Sequence, residues 1–275
     1  MTRGALRFEK WEGLGNDFVV VDDATISAEE ARRLCDRRLG VGADGVLVVR
    51  RRHARMEVWN ADGSRPEMCG NGLRCVAAYL VTRGAPADVL RIQTDAGERR
   101  CEVAKVGAGA GAGAGTGEHR YEVAVDMGRA RIGEPLVVGV DGREHRFLGV
   151  DVGNPHAITF EPYAEEEIDV IGPRVSTAPP GGVNVEFCRP HGERGQTRRI
   201  DVVVWERGVG RTLACGTGAC AVAAAACELG LAPFEVPLEV ALPGGALLIS
   251  VEAGTRALLM RGPARRVFAG EVVLA

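Results

Sequence analysis

The chain has 275 residues, 46% of them hydrophobic, and its 34 basic and 37 acidic residues give a net charge of −3. Such a chain can bury a large core, as one domain or as two of roughly 130 residues, and its scattered charge argues against nucleic acid or an anionic membrane as partner. The N-terminus, MTRGALRFEKWEG, is too charged for a secretory signal, and the longest apolar run, residues 219–227, is far short of a membrane helix. We therefore expect a cytoplasmic protein.

The first landmark along the chain is GVGADG at 40–45, which matches the pattern GxGxxG. It follows a helix-like stretch, AEEARRLCDRRLG, and precedes a strand-like one, VLVVR, which is the reverse of the dinucleotide-binding order. We interpret it as a helix C-cap and turn. Further on, GAGAGAGAGTG at 107–117 has no side chains with which to build a core, which predicts a flexible surface insertion.

The strongest signal is an internal repeat. Trp59 lies ten residues before Cys69, and Trp205 lies ten residues before Cys215. Each of these cysteines starts a CGxG turn, and each following apolar stretch ends at a glycine fifteen residues after the cysteine. The match extends upstream, where GLGNDF resembles DVGNPH, and downstream, where DMGRA resembles MRGPA. The chain is therefore interpreted as two copies of one α/β unit.

In each copy a β-branched run predicts a strand, a glycine-bearing loop follows, and the CGxG turn opens a helix. The helix after Cys215 is alanine-rich on every face, which is typical of an enclosed helix. A cysteine just before a helix lies near the positive end of the helix dipole, so we expect its pKa to fall below about 8.5. The adjacent glycines leave backbone N–H groups open to a carboxylate.

Two such thiols on opposite sides of a bound molecule can invert a carbon centre, one removing a proton and the other delivering one. The main competing chemistry uses pyridoxal phosphate, which needs a lysine for its Schiff base. The sequence holds only Lys10 and Lys105, neither in a recognisable site, so we expect a cofactor-free enzyme. All eight cysteines are expected to be free thiols. Their spacings do not match the usual zinc patterns, so we expect no metal site.

With these residues in place, the chain resembles the diaminopimelate epimerases along nearly its whole length. The resemblance rests on GLGNDF, NADGS and MCGNG in the first half and on GNPH, VN, WERG and ACGTGAC in the second. It implies an α+β fold of two pseudo-symmetric α/β domains, each a mixed sheet wrapped around a central helix. Residues 1–131 and 132–263 would form the two domains, with residues 264–275 returning to the first as a strand.

The resemblance also implies an activity, the cofactor-independent interconversion of LL- and meso-diaminopimelate on the route to lysine and peptidoglycan. Cys69 and Cys215 would be the acid/base pair, with His156 and Glu206 tuning the thiols. The residues implied to contact this small-molecule substrate are Asn16, Asn60, Gly70, Asn71, Asn154, Asn184, Glu206, Arg207, Gly216 and Thr217. Arg207 suits the distal carboxylate of the substrate, and the asparagines and Glu206 suit its ammonium groups.

Two positions depart from the family pattern. Arg211 stands where many members have glutamate, which reverses a charge four residues before Cys215 and either alters the thiol or faces solvent. Gly45 stands where some members have a substrate-binding glutamine, so we assign it no role. The family commonly dimerises through an aromatic residue near the C-terminus, which implies a homodimer with Phe268 at its interface.

Other interpretations remain open. Proline racemases and hydroxyproline epimerases share paired CGxG turns, but they usually have histidine after MCG, where this chain has Asn71, and lack WERG with its distal arginine. A thiol redox or metal-binding protein is the alternative from a different class. Without the repeat, Asn16 and Asn154 would read as turn residues and His156 as a loop histidine.

Overall fold

The computed structural model describes residues 5–106 and 120–274, which fold as two compact units. The first unit contains the described residues up to Val125 and from Gly262 onward. The second unit contains the described residues of Asp126–Arg261. The Gly-Ala tract at 107–117 lies outside the described residues. The assignment of residues 1–131 and 132–263 as the two copies of a repeat, with 264–275 returning to the first, stays a prediction.

The first unit contains two helices and a short 3-10 turn besides its strands. These elements are β1 (Leu6–Gly13), β2 (Asn16–Asp22), α1 (Ala28–Cys35), β3 (Gly45–Arg50), the 3-10 turn (Arg51–His53), β4 (Arg55–Asn60), α2 (Gly70–Thr82), β5 (Leu90–Thr94), β6 (Gly97–Lys105) and β7 (Arg120–Arg129), whose residues from Asp126 onward belong to the second unit.

The second unit contains β8 (Arg131–Val140), β9 (Arg143–Asp151), β10 (Pro155–Thr159), α3 (Glu165–Thr177), β11 (Asn184–His191), β12 (Arg199–Glu206), β13 (Gly210–Thr212), α4 (Gly216–Glu228), β14 (Leu238–Leu242) and β15 (Gly245–Val251). The last strand, β16 (Ala257–Val272), runs from the second unit back into the first.

The sheets of the two units repeat one strand order. In the first unit the C-terminal part of β16 pairs with β1, followed by β2, β3, β4, β5, β6 and β7. In the second the order is β8, β9, β10, β11, β12, β14, β15 and the N-terminal part of β16. The parallel pairs are β2–β3 and β4–β5 in one unit and β10–β11 and β12–β14 in the other, at the same places in each order. The predicted mixed sheet is confirmed.

One helix lies at the centre of each sheet. Helix α2 packs against both β1 and β6, and α4 against both β9 and β15, so strands near both ends of each order reach the same helix. From Ala219 to Ala226, no residue of α4 exposes more than 1% of its surface. Short side chains allow the strands to approach the helix from all sides, because a large residue would hold them away. The enclosed alanine helix expected from the sequence is confirmed.

The other two helices connect parallel strands, which need a crossover connection. Helix α1 joins β2 to β3 and begins with a capping box, in which Ser27 Oγ accepts from the Glu30 N–H (3.2 Å) and Glu30 Oε2 accepts from the Ser27 N–H (2.8 Å). After α1, the N–H groups of Val41 and Gly42 both donate to the Leu34 carbonyl at 3.0 Å. GVGADG is therefore the turn that closes a helix and leads into a strand, as predicted.

Candidate active site

Each of the two repeated cysteines is the N-cap residue of a central helix. Cys69 precedes α2 with an extended backbone (φ −137°, ψ 114°), and its Sγ accepts from the Gly72 N–H at 3.4 Å. Cys215 precedes α4 with nearly the same backbone (φ −124°, ψ 109°), and its Sγ accepts from the Gly218 N–H at 3.3 Å. The predicted position of both thiols, at the start of a helix, is confirmed.

The electrostatic environment of Cys215 differs from the one expected. Burial and the carboxylates of Glu206 and Glu186 raise the pKa of the Cys215 thiol well above its ordinary value, against smaller opposing effects of Thr217 and the Gly218 N–H. The expectation that the helix dipole lowers the pKa is wrong for this cysteine, because it is only 7% exposed and faces two acids. Cys215 is therefore a protonated thiol near neutral pH.

Beside Cys69, two of the predicted substrate residues form one hydrogen-bonded pair. Asn71 Nδ2 donates to Asn16 Oδ1 at 3.2 Å, and Asn16 Nδ2 donates to Asp44 Oδ2 at 2.8 Å. Asp44 in turn accepts from Arg37 at 2.7 Å. Asn60 ends β4 and donates to Ser64 Oγ at 2.9 Å. The side chains of Asn16 and Asn71 are thus held in place by protein partners before any substrate arrives.

The equivalent pair in the second unit is connected to a buried histidine. Asn154 Nδ2 donates to Thr217 Oγ1 at 3.3 Å, and Thr217 Oγ1 lies 3.5 Å from Cys215 Sγ. Asn154 Oδ1 lies 3.1 Å from His156 Nε2. His156 Nδ1 lies 2.6 Å from Glu186 Oε1, and neither of these two side chains is exposed at all. The structure therefore brings Asn154, His156 and Thr217 together at the Cys215 thiol.

Sequence reasoning did not find Glu186. The residue lies on β11, where Val185 and Phe187 belong to a hydrophobic core and Glu186 points to the other face of the strand. Strand β11 begins with NVEFC, and all five of these residues are buried. A single acid within such a stretch is unusual, and it is the signal that could have revealed Glu186.

Asn184, Glu206 and Arg207 lie where β11 begins and β12 ends. Asn184 Oδ1 accepts from the Arg207 backbone N–H at 2.9 Å, and Glu206 Oε1 accepts from Thr212 Oγ1 at 2.6 Å. The exposed Arg207 guanidinium donates to the Gly181 carbonyl at 2.7 Å. No ion pair of Arg207 is formed within residues 5–106 and 120–274, so its charge is available to an anion.

The strand registers align the two sites position by position. In the first unit Phe18 pairs with Gly45, and in the second His156 pairs with Asn184. Gly70 and Gly216 are the first residues of α2 and α4, and both are buried. Asn16 therefore corresponds to Asn154, and Asn71 to Thr217, whereas Gly45 corresponds to Asn184.

Arg211 is paired with acids of α3. Its guanidinium donates to Asp169 Oδ1 at 2.6 Å and to Glu165 Oε1 at 3.0 Å, both on α3. The charge reversal noted in the sequence therefore has local acidic partners that neutralise it.

Phe268 is 46% exposed on β16 and meets Phe8 edge to face, with ring centroids 5.8 Å apart.

Lys10, one of the two lysines, is buried and pairs with Asp17 at 2.7 Å. All eight cysteines are free. In the part of the chain that the structure describes, there is no cluster of histidine, cysteine and acidic residues that could hold a metal ion, and no helix long and apolar enough to cross a membrane.

The chain is similar to known proteins along nearly its whole length. A sequence model of the diaminopimelate epimerase family matches residues 8–132 and 148–267. Diaminopimelate epimerases from Carboxydothermus hydrogenoformans and Desulforudis audaxviator are 39% and 42% identical to this chain, over 98% of this chain and 100% of each relative.

Two solved structures share the fold. A protein described as a predicted epimerase from Pseudomonas aeruginosa superposes with a TM-score of 0.72 at 17% identity, covering 98% of this chain and 100% of that one. A hydroxyproline epimerase from Agrobacterium vitis, with trans-4-hydroxy-L-proline bound, gives a TM-score of 0.70 at 16% identity, covering 100% and 94%.

Proposed function

The chain belongs to the diaminopimelate epimerase family, a family of isomerases, and from that premise we propose that it interconverts LL- and meso-2,6-diaminopimelate by a cofactor-independent two-base reaction. Cys69 and Cys215 are the two acid/base groups. The observation that carries this proposal is the duplicated N-cap, in which each sulfur accepts an N–H from the third residue of its own helix. A cysteine that served only in packing would not be expected to cap a helix with its sulfur in both copies.

In the proposed reaction one cysteine, as thiolate, takes the α-proton of the substrate while the other, as thiol, gives its proton to the opposite face of the same carbon. The two cysteines exchange protonation states in each turnover, and the reverse reaction uses them in the opposite roles. The protonated thiol of Cys215 is the donor in one direction. Backbone N–H groups of Gly70, Asn71, Gly216 and Thr217 bind the α-carboxylate, where negative charge develops as the proton leaves.

Recognition of the far end of the substrate is assigned to Arg207 and Glu206. Arg207 carries a charge that no carboxylate of the described residues neutralises, and it suits the distal carboxylate. Glu206 and the side chains of Asn16, Asn60, Asn154 and Asn184 receive the ammonium groups. His156 and Glu206 tune the thiols, as the family resemblance implies.

We further propose that the protein acts in the cytoplasm and as a homodimer. Eight free cysteines suit a reducing compartment. Phe268 and its neighbour Val267 expose 46% and 48% of their surfaces on β16, which supports an apolar contact there between copies.

The test is proton exchange at the α-carbon. LL-diaminopimelate incubated in deuterated water with protein treated with a chelator and free of cofactors should lose its α-proton signal and yield the meso isomer. L-proline and trans-4-hydroxy-L-proline serve as matched substrates for the alternative racemase activities. An unchanged α-proton signal with diaminopimelate contradicts the proposal, and exchange with the proline substrates instead points to the alternative.

A further inference from the structure

Glu186 is a buried acid to which the proposed reaction gives no role. Its side chain is fully buried, and its Oε2 has no hydrogen-bond partner among the described residues. Burying a carboxylate is costly unless other groups compensate its charge. The group that compensates it here is His156, at 2.6 Å. The pair lies within the second unit, behind the N-terminus of α4.

A continuous chain of hydrogen bonds leads from Glu186 to the sulfur of Cys215. It passes through His156 (2.6 Å), Asn154 (3.1 Å) and Thr217 (3.3 Å), and ends at Cys215 Sγ (3.5 Å). The chain has a direction, because a carboxylate can only accept. If Glu186 accepts from Nδ1–H, and Nε2–H donates to Asn154 Oδ1, then the Asn154 amide donates to Thr217 Oγ1. The hydroxyl hydrogen of Thr217 is then left for the sulfur.

That direction requires His156 to hold a proton on both ring nitrogens, since both of its neighbours accept. A buried ring that donates on both sides is best held beside a negative charge, and Glu186 supplies that charge at 2.6 Å. Its removal releases the ring from this arrangement, and the amide of Asn154 and the hydroxyl of Thr217 lose their fixed orientation.

We propose that Glu186 is a positioning residue of the Cys215 site, which acts through His156 and Asn154 to aim the hydroxyl hydrogen of Thr217 at the Cys215 sulfur. The inference rests on the proposed function only in that it concerns the thiol assigned to proton transfer. The hydroxyl stabilises the thiolate when Cys215 has given up its proton, and so makes this buried thiol a usable acid.

The first unit has no histidine–glutamate pair at the matching positions. By strand register Phe18 corresponds to His156, and Leu47, two residues after Gly45, corresponds to Glu186, two residues after Asn184. Gly72 and Gly218 face these residues in the same way, since an added Cβ would lie 2.9 Å from Leu47 Cδ2 and 2.6 Å from Glu186 Oε1. The pair beside Cys215, His156 and Glu186, is therefore ionisable. The corresponding pair in the first unit, Phe18 and Leu47, is apolar.

The test measures the Cys215 thiol without any turnover. In a Cys69→Ser background, the rate of alkylation of Cys215 by iodoacetamide is followed against pH, with peptide mapping to identify the modified residue. The ionisable groups facing this thiol are Glu186, Glu206 and, through the chain, His156. We expect Thr217→Val to move the midpoint of the profile up by about one pH unit, because a donor to the thiolate is lost.

In the Glu186→Gln background, Thr217→Val should give little or no upward shift, since the hydroxyl of Thr217 is then no longer aimed at the sulfur. Glu186→Gln by itself also removes a nearby negative charge, so the readout is the Thr217→Val shift in each background. The double variant His156→Phe/Glu186→Leu, which copies the pair of the first unit, should abolish the Thr217→Val shift as well and serves if Glu186→Gln does not fold. Glu9→Gln is the matched control, because Glu9 is a buried acid of the first unit paired with Arg83 and Arg266. It should leave the midpoint unchanged.

No upward shift in Thr217→Val would mean that its hydroxyl does not act on the sulfur, and it would overturn the inference. Additive shifts of Glu186→Gln and Thr217→Val would overturn it as well. These readouts need no substrate, so a failure of α-proton exchange in the wild-type protein would refute the proposed function and leave this inference to be judged by the alkylation profile.

Discussion

Gly218 lies so close to Glu186 that a methyl group on its α-carbon would be 2.6 Å from Glu186 Oε1 and 3.3 Å from Cys215 Sγ. Gly218 is in the first turn of α4 and has no positive φ, so conformational freedom does not explain a glycine there. The reason is space, because a carboxylate and a sulfur share the volume that a side chain would fill.

Gly218→Ala should therefore lower the rate of epimerisation by at least about tenfold, although alanine favours a helix by about 1 kcal/mol over glycine. The new methyl displaces an oxygen that His156 holds at 2.6 Å. Gly72→Ala is the matched control in the first unit. Its methyl meets Leu47 Cδ2 at 2.9 Å, an uncharged chain end without a hydrogen bond to lose, so we expect a smaller loss in kcat. Equal losses would contradict this account.

Replacing either Cys69 or Cys215 with alanine should abolish epimerisation while the protein stays folded, because each face of the carbon needs its own proton carrier. Cys75→Ala and Cys220→Ala are the controls, since these two cysteines are fully buried in α2 and α4 and have no part in the reaction. Turnover is measured by loss of the α-proton signal and folding by circular dichroism. Full activity in either N-cap variant would disprove the two-base scheme.

Arg207→Ala should raise KM for diaminopimelate about 10- to 100-fold with a smaller effect on kcat, because a charged hydrogen bond to the distal carboxylate is lost away from the reacting carbon. Arg189→Ala, at an exposed arginine of β11, should leave both constants unchanged. Steady-state kinetics of both variants decide the point. An unaltered KM in Arg207→Ala would remove this residue from substrate recognition.

Arg211→Glu should lower the free energy of unfolding by about 1 kcal/mol, because it places a third acid beside Glu165 and Asp169. We expect no change in the alkylation profile of Cys215. Urea denaturation measures the first effect, and the charge-swapped variant Arg211→Glu/Asp169→Arg should recover part of the loss. A shift in the profile without loss of stability would show that Arg211 acts on the thiol after all.

Asp17→Asn should destabilise the protein at pH 7 and lose its effect in acid. Burial raises the pKa of Asp17, but hydrogen bonds and charges from Arg37 and Lys10 outweigh it and lower the pKa to about 2. Since the pKa is about 3.9 in the unfolded chain, the stability from this carboxylate is complete above that value and is lost as the pH falls toward 2. Urea unfolding across this range is the measurement, and Asp23→Asn, at an exposed neighbour, is the control.

The features of the fold that could be predicted from the sequence are those set by short local patterns, several of which occur in both halves of the chain. The two N-cap thiols, the enclosed α4 and the order of helix and strand around GVGADG all follow from local patterns, because caps, small residues and turns act over a few residues. The correspondence of Asn16 and Asn154 was indicated by the same route, since GLGNDF and DVGNPH match, and their contact with the substrate stays a prediction.

The features that could not be predicted from the sequence depend on contacts between residues far apart in the chain. Glu186 reaches His156 only because β10 and β11 pair in parallel, and Arg211 meets Asp169 across 42 residues of sequence. The pKa of Cys215 follows from burial and from the approach of Glu206 and Glu186, which the position before a helix does not predict. These are properties of packing, and they required the structure.

The N-cap thiols also bear on the stability of the two central helices. Serine, asparagine and aspartate cap helices well because oxygen accepts an N–H strongly, whereas sulfur is a weak acceptor, here at 3.4 Å from Gly72 and 3.3 Å from Gly218. Both central helices thus begin with a poorer cap than one mutation to serine could provide. Serine at position 69 or 215 should therefore stabilise the helix that it begins while it removes a group that the proposed reaction needs, so stability and activity oppose one another at these two positions.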